Sequence, residues 1–509
     1  MSSNFASTDA IQAHRAMTKR VLWKLDCRIL PPLALLWLAN FIDRSNIGNA
    51  RIAGLEKDTK LHGNQFNILL AVFYIPYLLV EMPSNIIMKK VKANRWIPLL
   101  VVMWGIVTIL TSLVQNFSGL IVIRLFLGLC EGGLLPGIML YLSTIYRRHE
   151  LQLRVGIFYA SASLSGAFGG LLATAILKMN GVGRLAGWRW IFILEGLATV
   201  VAGGIAAWFL PESLATASFF TEEERAFAVK RFQMDDAAFL ASETASPTKS
   251  LDDMKKENYE HVESTVTQQV AEEVFEWGEV VRGILDIQVW LTAFCYFGFV
   301  VGLYSYSLFL PTIVAGLGYV GSDAQLHTVP PYVPAAVLTV VVAFLADRFK
   351  WRGPFILMCL PLSFIGYILA ITAKTNGTRY IAVFFMAAGV YPSAPCVLSL
   401  IANNTSGHYK RATATALQLA IANASGFVAT FAYTPDQKPK YIRGHTIALS
   451  FVIFSWVMIG CNVLYCKWEN KARSEGRRKG NITAYQTLVD AGKTKAPIGD
   501  RHPDFRFTL

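Results

Sequence analysis

Asp43 and Arg44 stand side by side in an otherwise apolar stretch, Asn40-Phe41-Ile42-Asp43-Arg44-Ser45-Asn46, where Asn40 and Arg44 are four apart and share one helix face. Tyr77 and Glu81 repeat that spacing in a second apolar stretch. Arg124 and Glu131, seven apart in a third, stack on one face about 10 Å apart along a helix axis. Two arginines facing a common cavity are a natural means of holding an anion, because guanidinium stays charged and binds carboxylate bidentately. A glutamate close by in a low dielectric favours its neutral form and exchanges a proton near neutrality. Together these groups couple an anion to a proton. The plainer reading of the same residues is a set of locked ion pairs that fix helix registry.

The surrounding elements are membrane spans. Of 509 residues, 54% are hydrophobic and 16% charged, and the mean hydropathy is +0.41, which excludes an ordinary soluble protein. A span needs roughly 20 mostly apolar residues to cross about 30 Å of hydrocarbon. Twelve stretches qualify, near 29-49, 65-87, 96-115, 118-141, 155-177, 188-210, 288-315, 328-346, 354-373, 380-401, 412-433 and 445-466. The expected fold is therefore an all-α membrane protein of twelve transmembrane helices in two six-helix bundles. Its parts are an N-terminal segment 1-28, a bundle 29-210, a central loop 211-287, a bundle 288-466 and a tail 467-509. A charged side chain at mid-bilayer costs about 2.5 to 3.5 kcal/mol, so each one asks for a partner or a water-filled cavity.

The net charge of +13 would suggest nucleic acid in a soluble chain, but its placement follows membrane topology. Lys89, Lys90, Lys92 and Arg95, then Arg147, Arg148 and Arg154, then Arg348, Lys350 and Arg352 all fall on one side. The positive-inside rule puts that side and both termini in the cytoplasm. Residues 1-28 hold five basic residues without an apolar core, and no cleavable signal peptide is expected. The central loop opens with Thr221-Glu222-Glu223-Glu224, a capping box that starts a surface helix, and turns polar and disordered around Ser242 to Gln269.

Other features carry less chemistry. Span five is rich in small residues from Ala160 to Gly170, a face that permits close helix approach. Glu195, beside Trp188-Arg189-Trp190, reads as an interface or packing residue, with a role in transport as the alternative. The second bundle offers Tyr304, Ser305, Tyr306, Ser307, Tyr391, Asn403 and Asn404 for the organic part of a ligand, or else simply interfacial tyrosines and a helix-end amide pair. The seven cysteines and eight histidines are scattered, and neither a metal nor a cofactor is expected. Gly492-Lys493-Thr494 lacks the first glycine of a phosphate loop, since Thr487 stands there.

The residues also resemble a known family. The 6+6 layout, Ala346-Asp347-Arg348-Phe349-Lys350 between spans eight and nine, and Arg124-Leu-Phe-Leu-Gly128 in span four look like the major facilitator superfamily. FIDRSNIGNA, Glu81-Met82-Pro83-Ser84-Asn85, RLFLGLCEGGLLPG, GWRWIFILEG, Thr221-Glu222-Glu223-Glu224-Arg225 and NNTSGHYKR resemble the anion:cation symporters, in particular their fungal allantoate and nicotinate permease branch. The resemblance implies proton-driven uptake of a small organic anion across the plasma membrane by a monomeric protein working through alternating access. It puts substrate-binding roles on Arg44, Tyr77, Arg124 and Asn403 or Asn404, proton coupling on Asp43 and Glu131, and a gating motif on Asp347 and Arg348. The basic Met88-Lys89-Lys90 replaces the superfamily's acidic residue after span two, so gating contacts in the two halves must differ.

In the expected cycle the anion meets Arg44, with Tyr77 and the Asn403-Asn404 pair orienting its organic part. Protonated Glu131 then releases Arg124, and the bundles rock. Export of an anionic metabolite and anion sensing without transport are the competing classes. A membrane enzyme is not supported, because the sequence shows no nucleophile-base pair, metal cluster or nucleotide motif.

Overall fold

The computed structural model describes residues 2–147, 150, 154, 161, 165–166, 168–232, 276–494, 496 and 498–509. Arg148, much of span five and the polar stretch from Ser242 to Gln269 lie outside the described residues. Regular structure among the described residues is entirely helical. Among the described residues ten helices are long and apolar enough to cross a membrane, and two shorter apolar ones, Gln65–Glu81 and Phe168–Met179, fall where spans two and five are expected.

Span one is the second half of Ser2–Ala50, and span two lies in Gln65–Val91. Span three is Ala93–Thr111. Span four is broken into Phe117–Glu131 and Leu134–Ile145. Span six is Gly187–Phe209, span seven Ile287–Gly316, span eight Tyr332–Phe349 and span nine Gly353–Thr372. Span ten is broken into Asn376–Val390 and Ser393–Asn404, and spans eleven and twelve are His408–Ala432 and Ile442–Ser474.

Helix starts follow capping chemistry. The Asn116 side chain accepts from the Gly119 N–H at 2.8 Å and opens span four, and Asp286 accepts from the Gln288 N–H at 2.9 Å to open span seven. At the expected capping box, the Thr221 N–H donates to Glu224 at 3.1 Å and the Glu224 N–H donates to Thr221 Oγ1 at 3.3 Å.

Two glycine contacts set the first bundle. Gly105 of span three and Gly196 of span six cross so closely that a Cβ on Gly105 would stand 2.8 Å from the Gly196 carbonyl oxygen. At the break in span four, a Cβ on Gly132 would stand 2.5 Å from the Tyr77 carbonyl oxygen. The Tyr77 ring is thereby held beside span four.

Spans one and seven, and spans two and eleven, pack across the two bundles. At one end Asn67 Nδ2 donates to the Thr430 and Tyr433 carbonyls at 2.5 and 3.1 Å, tying span two to the end of span eleven. At the other end, here called the tail face, Lys24 and Arg20 pair with Glu224, Arg154 with Asp26, and Arg231 with Glu150. The segment after span twelve returns to this face. Asp500 pairs there with Arg282 at 2.6 Å and with Lys410, and Arg501 pairs with Glu279 at 2.7 Å. Burial alone would raise the Asp500 carboxyl, but the neighbouring Lys410 and Arg282 outweigh it and hold the group below the usual aspartate range.

Candidate functional site

Span one supplies the centre of the site. The Arg44 Nε donates to Glu131 Oε1 at 3.0 Å, and Asn40, one turn earlier, donates to the same oxygen. Arg44 and Glu131 are both buried, so the pair is shielded from solvent and its attraction is little screened. The guanidinium is also caged by aromatic rings, lying 5.0 Å from the Tyr77 centroid, 5.5 Å from Phe73 and 5.6 Å from Tyr304.

From Arg44 a chain of hydrogen bonds crosses into the second bundle. Arg44 donates to the Tyr304 hydroxyl at 3.0 Å, Tyr304 donates to Asn423 Oδ1 at 3.2 Å, and Asn423 Nδ2 donates to Glu81 Oε2 at 3.4 Å. Spans four, one, seven, eleven and two thus meet in one buried network. Tyr74 stands over Tyr304 and Phe427, with ring centroids 5.7 and 6.0 Å away. The absence of a side chain on Gly426 makes this possible, since a Cβ there would lie 2.3 Å from the Tyr74 ring.

Arg124 differs from Arg44. Asp43, Arg44, Leu70, Phe73, Tyr74, Arg124, Glu131 and Leu308 line one pocket between the bundles. The Arg124 guanidinium feels the charges of Asp43 and Glu131, yet it forms no ion pair or hydrogen bond among the described residues. A buried guanidinium without a bonded partner is costly, and its charge and planar fork match the geometry of a carboxylate. One Arg44 nitrogen, NH2, and one Glu131 oxygen, Oε2, are likewise without a hydrogen-bond partner there. Asp43 accepts from the Trp104 indole at 2.9 Å.

The structure therefore brings together Asp43, Arg44, Tyr77, Arg124 and Glu131, and pairs them differently from the expected cycle. Glu131 is bonded to Arg44 rather than to Arg124, from which two helical turns separate it by about 10 Å along the axis. Arg124 is the guanidinium without a bonded partner among the described residues, while Arg44 is engaged by Glu131 and Tyr304.

Asn403 and Asn404 do not join the site. Asn403 is exposed, and Asn404 exchanges two hydrogen bonds with the Thr508 backbone, at 2.9 and 2.8 Å, on the tail face. The physical reason is position: both close the helix Ser393–Asn404, where an amide finds neighbouring backbone rather than the mid-span pocket. The amide within the buried network is that of Asn423. Asp347 pairs with Arg352 at 3.2 Å, whereas Arg348 is exposed on the tail face. Burial depresses Arg352, outside the spans, to about 10.

Sequence reasoning passed over Asn423, Tyr74 and Trp104, which look like ordinary span residues, and left Glu195 between packing and transport. Glu195 is buried, accepts from Asn46 Nδ2 at 3.0 Å and lies within electrostatic reach of Asp43. The usable signal was its carboxylate inside a span, the same signal that picked out Asp43.

Comparison with known proteins agrees with the architecture. A family model described as Major Facilitator Superfamily matches residues 33–430. An uncharacterised transporter of Schizosaccharomyces pombe is 39% identical over 511 residues, covering 100% of this chain and 94% of its own. A high-affinity nicotinic acid transporter of Saccharomyces cerevisiae is 32% identical over 492 residues, covering 96% of this chain and 85% of its own. Among solved structures, an inward-facing, unoccupied bacterial homologue of the human lysosomal transporter Spinster superposes with a TM-score of 0.61 at 16% identity, covering 86% of this chain and 95% of its own. The xylose transporter XylE from E. coli, partially occluded and inward-open, gives 0.60 at 14% identity, covering 84% and 96%. At those identities the likeness shows the fold alone.

Proposed function

This chain belongs to the Major Facilitator Superfamily and is a multi-pass membrane transporter, and from that premise we propose that it takes up a small organic anion, a nicotinate-like carboxylate, together with protons. The observation that carries the proposal is the Arg124 guanidinium, buried, facing the pocket and without a bonded partner among the described residues. A monocarboxylate fits that charge and can be held bidentately. The rings of Phe73 and Tyr74 on the same pocket suit a planar organic part. The nicotinic acid transporter among the relatives supports this substrate class.

Proton coupling rests on charge counting in a low dielectric. Asp43, Glu81, Glu131 and Glu195 are four buried carboxyls near two buried guanidinium groups, Arg44 and Arg124. A bound anion adds one more negative charge, and leaving all of these ionised away from water is costly. Protons arriving with the anion relieve that cost. Protonation of Glu131 frees Arg44, which loosens the Arg44–Tyr304–Asn423 tie between bundles and lets them rock. Two protons per monovalent anion would move one net charge, for which 100 mV contributes about 2.3 kcal/mol.

The tail face is the cytoplasmic one in this reading, because the basic clusters lie there, and the plasma membrane is the site of action. The test is uptake of labelled organic anions, led by nicotinate, into transporter-deficient yeast expressing the chain, with and without a protonophore. Saturable uptake that collapses with the protonophore is the expected result. Flat uptake by protein verified at the cell surface would overturn the proposal in favour of export or sensing.

A further inference from the structure

We propose that Glu195 is the acceptor through which protons reach Asp43 from the face opposite the tail, a step that rests on the proton-coupled reading above. A run of buried polar side chains connects that face to the site. Its outer end is Gln325, in the helix Ser322–Leu326 next to the exposed Asp323. Gln325 Nε2 donates to the Asn49 carbonyl at 3.4 Å, Asn49 Nδ2 donates to Asn46 Oδ1 at 2.8 Å, and Asn46 Nδ2 donates to Glu195 Oε2 at 3.0 Å. Beyond Glu195 the next carboxyl is Asp43, one turn inward from Asn46 on span one.

Three of the four members of the run keep an acceptor in hand, Asn46 Oδ1 being taken by Asn49. Glu195 Oε1, Asn49 Oδ1 and Gln325 Oε1 are buried and have no hydrogen-bond partner among the described residues. A fully satisfied packing network would not leave three acceptors in sequence. Amide side chains do not themselves pass protons, so Asn46, Asn49 and Gln325 orient the carboxyl and any water that reaches it. The proton moves from water to the Glu195 carboxylate and from the Glu195 carboxyl to the Asp43 carboxylate. Glu195 ends the step ionised again.

The charged groups facing Glu195 are Asp43 on span one and Arg124 and Glu131 on span four, while span three offers the Trp104 indole. With Glu131 already bonded to Arg44, Arg124 is the guanidinium among the described residues that acts on both Asp43 and Glu195. Like charges so placed disfavour each other's ionisation, so a proton on either one relieves both. The two carboxyls are thus arranged to hold one proton between them and to hand it inward when an anion occupies Arg124.

The test needs no substrate. The full chain is reconstituted in vesicles, the pH on the Gln325 side is dropped, and infrared difference spectra follow the carbonyl stretch of protonated carboxyl groups in wild type, D43N, E195Q and E195D. The band lost in D43N reports Asp43. In E195Q the transient band of protonated Glu195 should be absent and the Asp43 band should rise about ten-fold more slowly or worse, as expected when a positioned acid–base group is removed. E195D should restore the rate in part, which a purely structural glutamate would not require. If Asp43 protonates at the wild-type rate in E195Q, or E195Q removes no band, the inference is wrong. A wild-type chain that passes this test but accumulates no anion would sink the symport reading and leave the proton path standing. Thermal melting of each variant separates these outcomes from misfolding, and E195D carries the comparison should E195Q not fold.

Discussion

Replacing Glu131 with glutamine keeps the side-chain volume and an oxygen able to accept from Arg44 Nε and Asn40, but it removes the charge and the proton site. Locally, a charge-assisted bond at 3.0 Å becomes a neutral one, a loss of about 1 kcal/mol in the anchoring of Arg44. Each coupled proton contributes about 1.4 kcal/mol per pH unit, so losing one lowers the ceiling on accumulation about ten-fold per unit of gradient. If the wild-type cycle moves two protons with a monovalent anion, the net charge disappears as well. That removes about 2.3 kcal/mol at 100 mV, about another fifty-fold. The assay compares labelled nicotinate accumulation at stepped external pH with counterflow from preloaded cells, where no gradient drives the exchange. E131Q should equilibrate nicotinate without concentrating it while still exchanging it. Equal loss of accumulation and counterflow would make Glu131 purely structural. Undiminished accumulation would move the coupling proton to another carboxyl.

Other outcomes follow from the same geometry. Arg124→Lys keeps the charge but not the bidentate fork, and should raise the KM of uptake about ten-fold, the worth of one lost charge-assisted bond of about 1.5 kcal/mol. Asn423→Ala cuts the bridge between Tyr304 and Glu81 and should impair uptake, whereas Asn404→Ala should leave the KM unchanged. The second variant should instead lower the melting temperature, through two hydrogen bonds to the Thr508 backbone worth about 1 kcal/mol each. Asp500 is held low by Lys410 and Arg282 against its burial. Its contribution to stability is therefore complete above the unfolded aspartate value of about 3.9 and is lost as pH falls through its lower folded value. Thermal melts of the detergent-purified chain should show that acid loss in wild type. Asp500→Asn should be less stable at neutral pH and lack this component of the acid dependence.

Much of this protein was legible before any coordinates. Hydropathy and length located the spans, because a backbone in hydrocarbon must satisfy its hydrogen bonds as helix and must be apolar for about 30 Å. Charges inside spans marked Asp43, Arg44, Glu81, Arg124 and Glu131, because burying them without purpose is costly. The Thr221–Glu224 box was readable because capping is local chemistry, set within four residues. Pairing was not readable. Whether Glu131 binds Arg124 seven residues away or Arg44 on another span depends on how spans one and four are placed, which non-local packing decides. For the same reason Asn423 became part of the site while Asn404 was taken up by the Thr508 backbone. Glu195 turned from an interface residue into a neighbour of Asp43 because the Gly105–Gly196 crossing draws span six inward. Residue type and periodicity determine which side chains face inward and what each can do. Only the arrangement of helices from distant parts of the chain decides which of them meet, and that meeting sets which guanidinium is left without a bonded partner among the described residues.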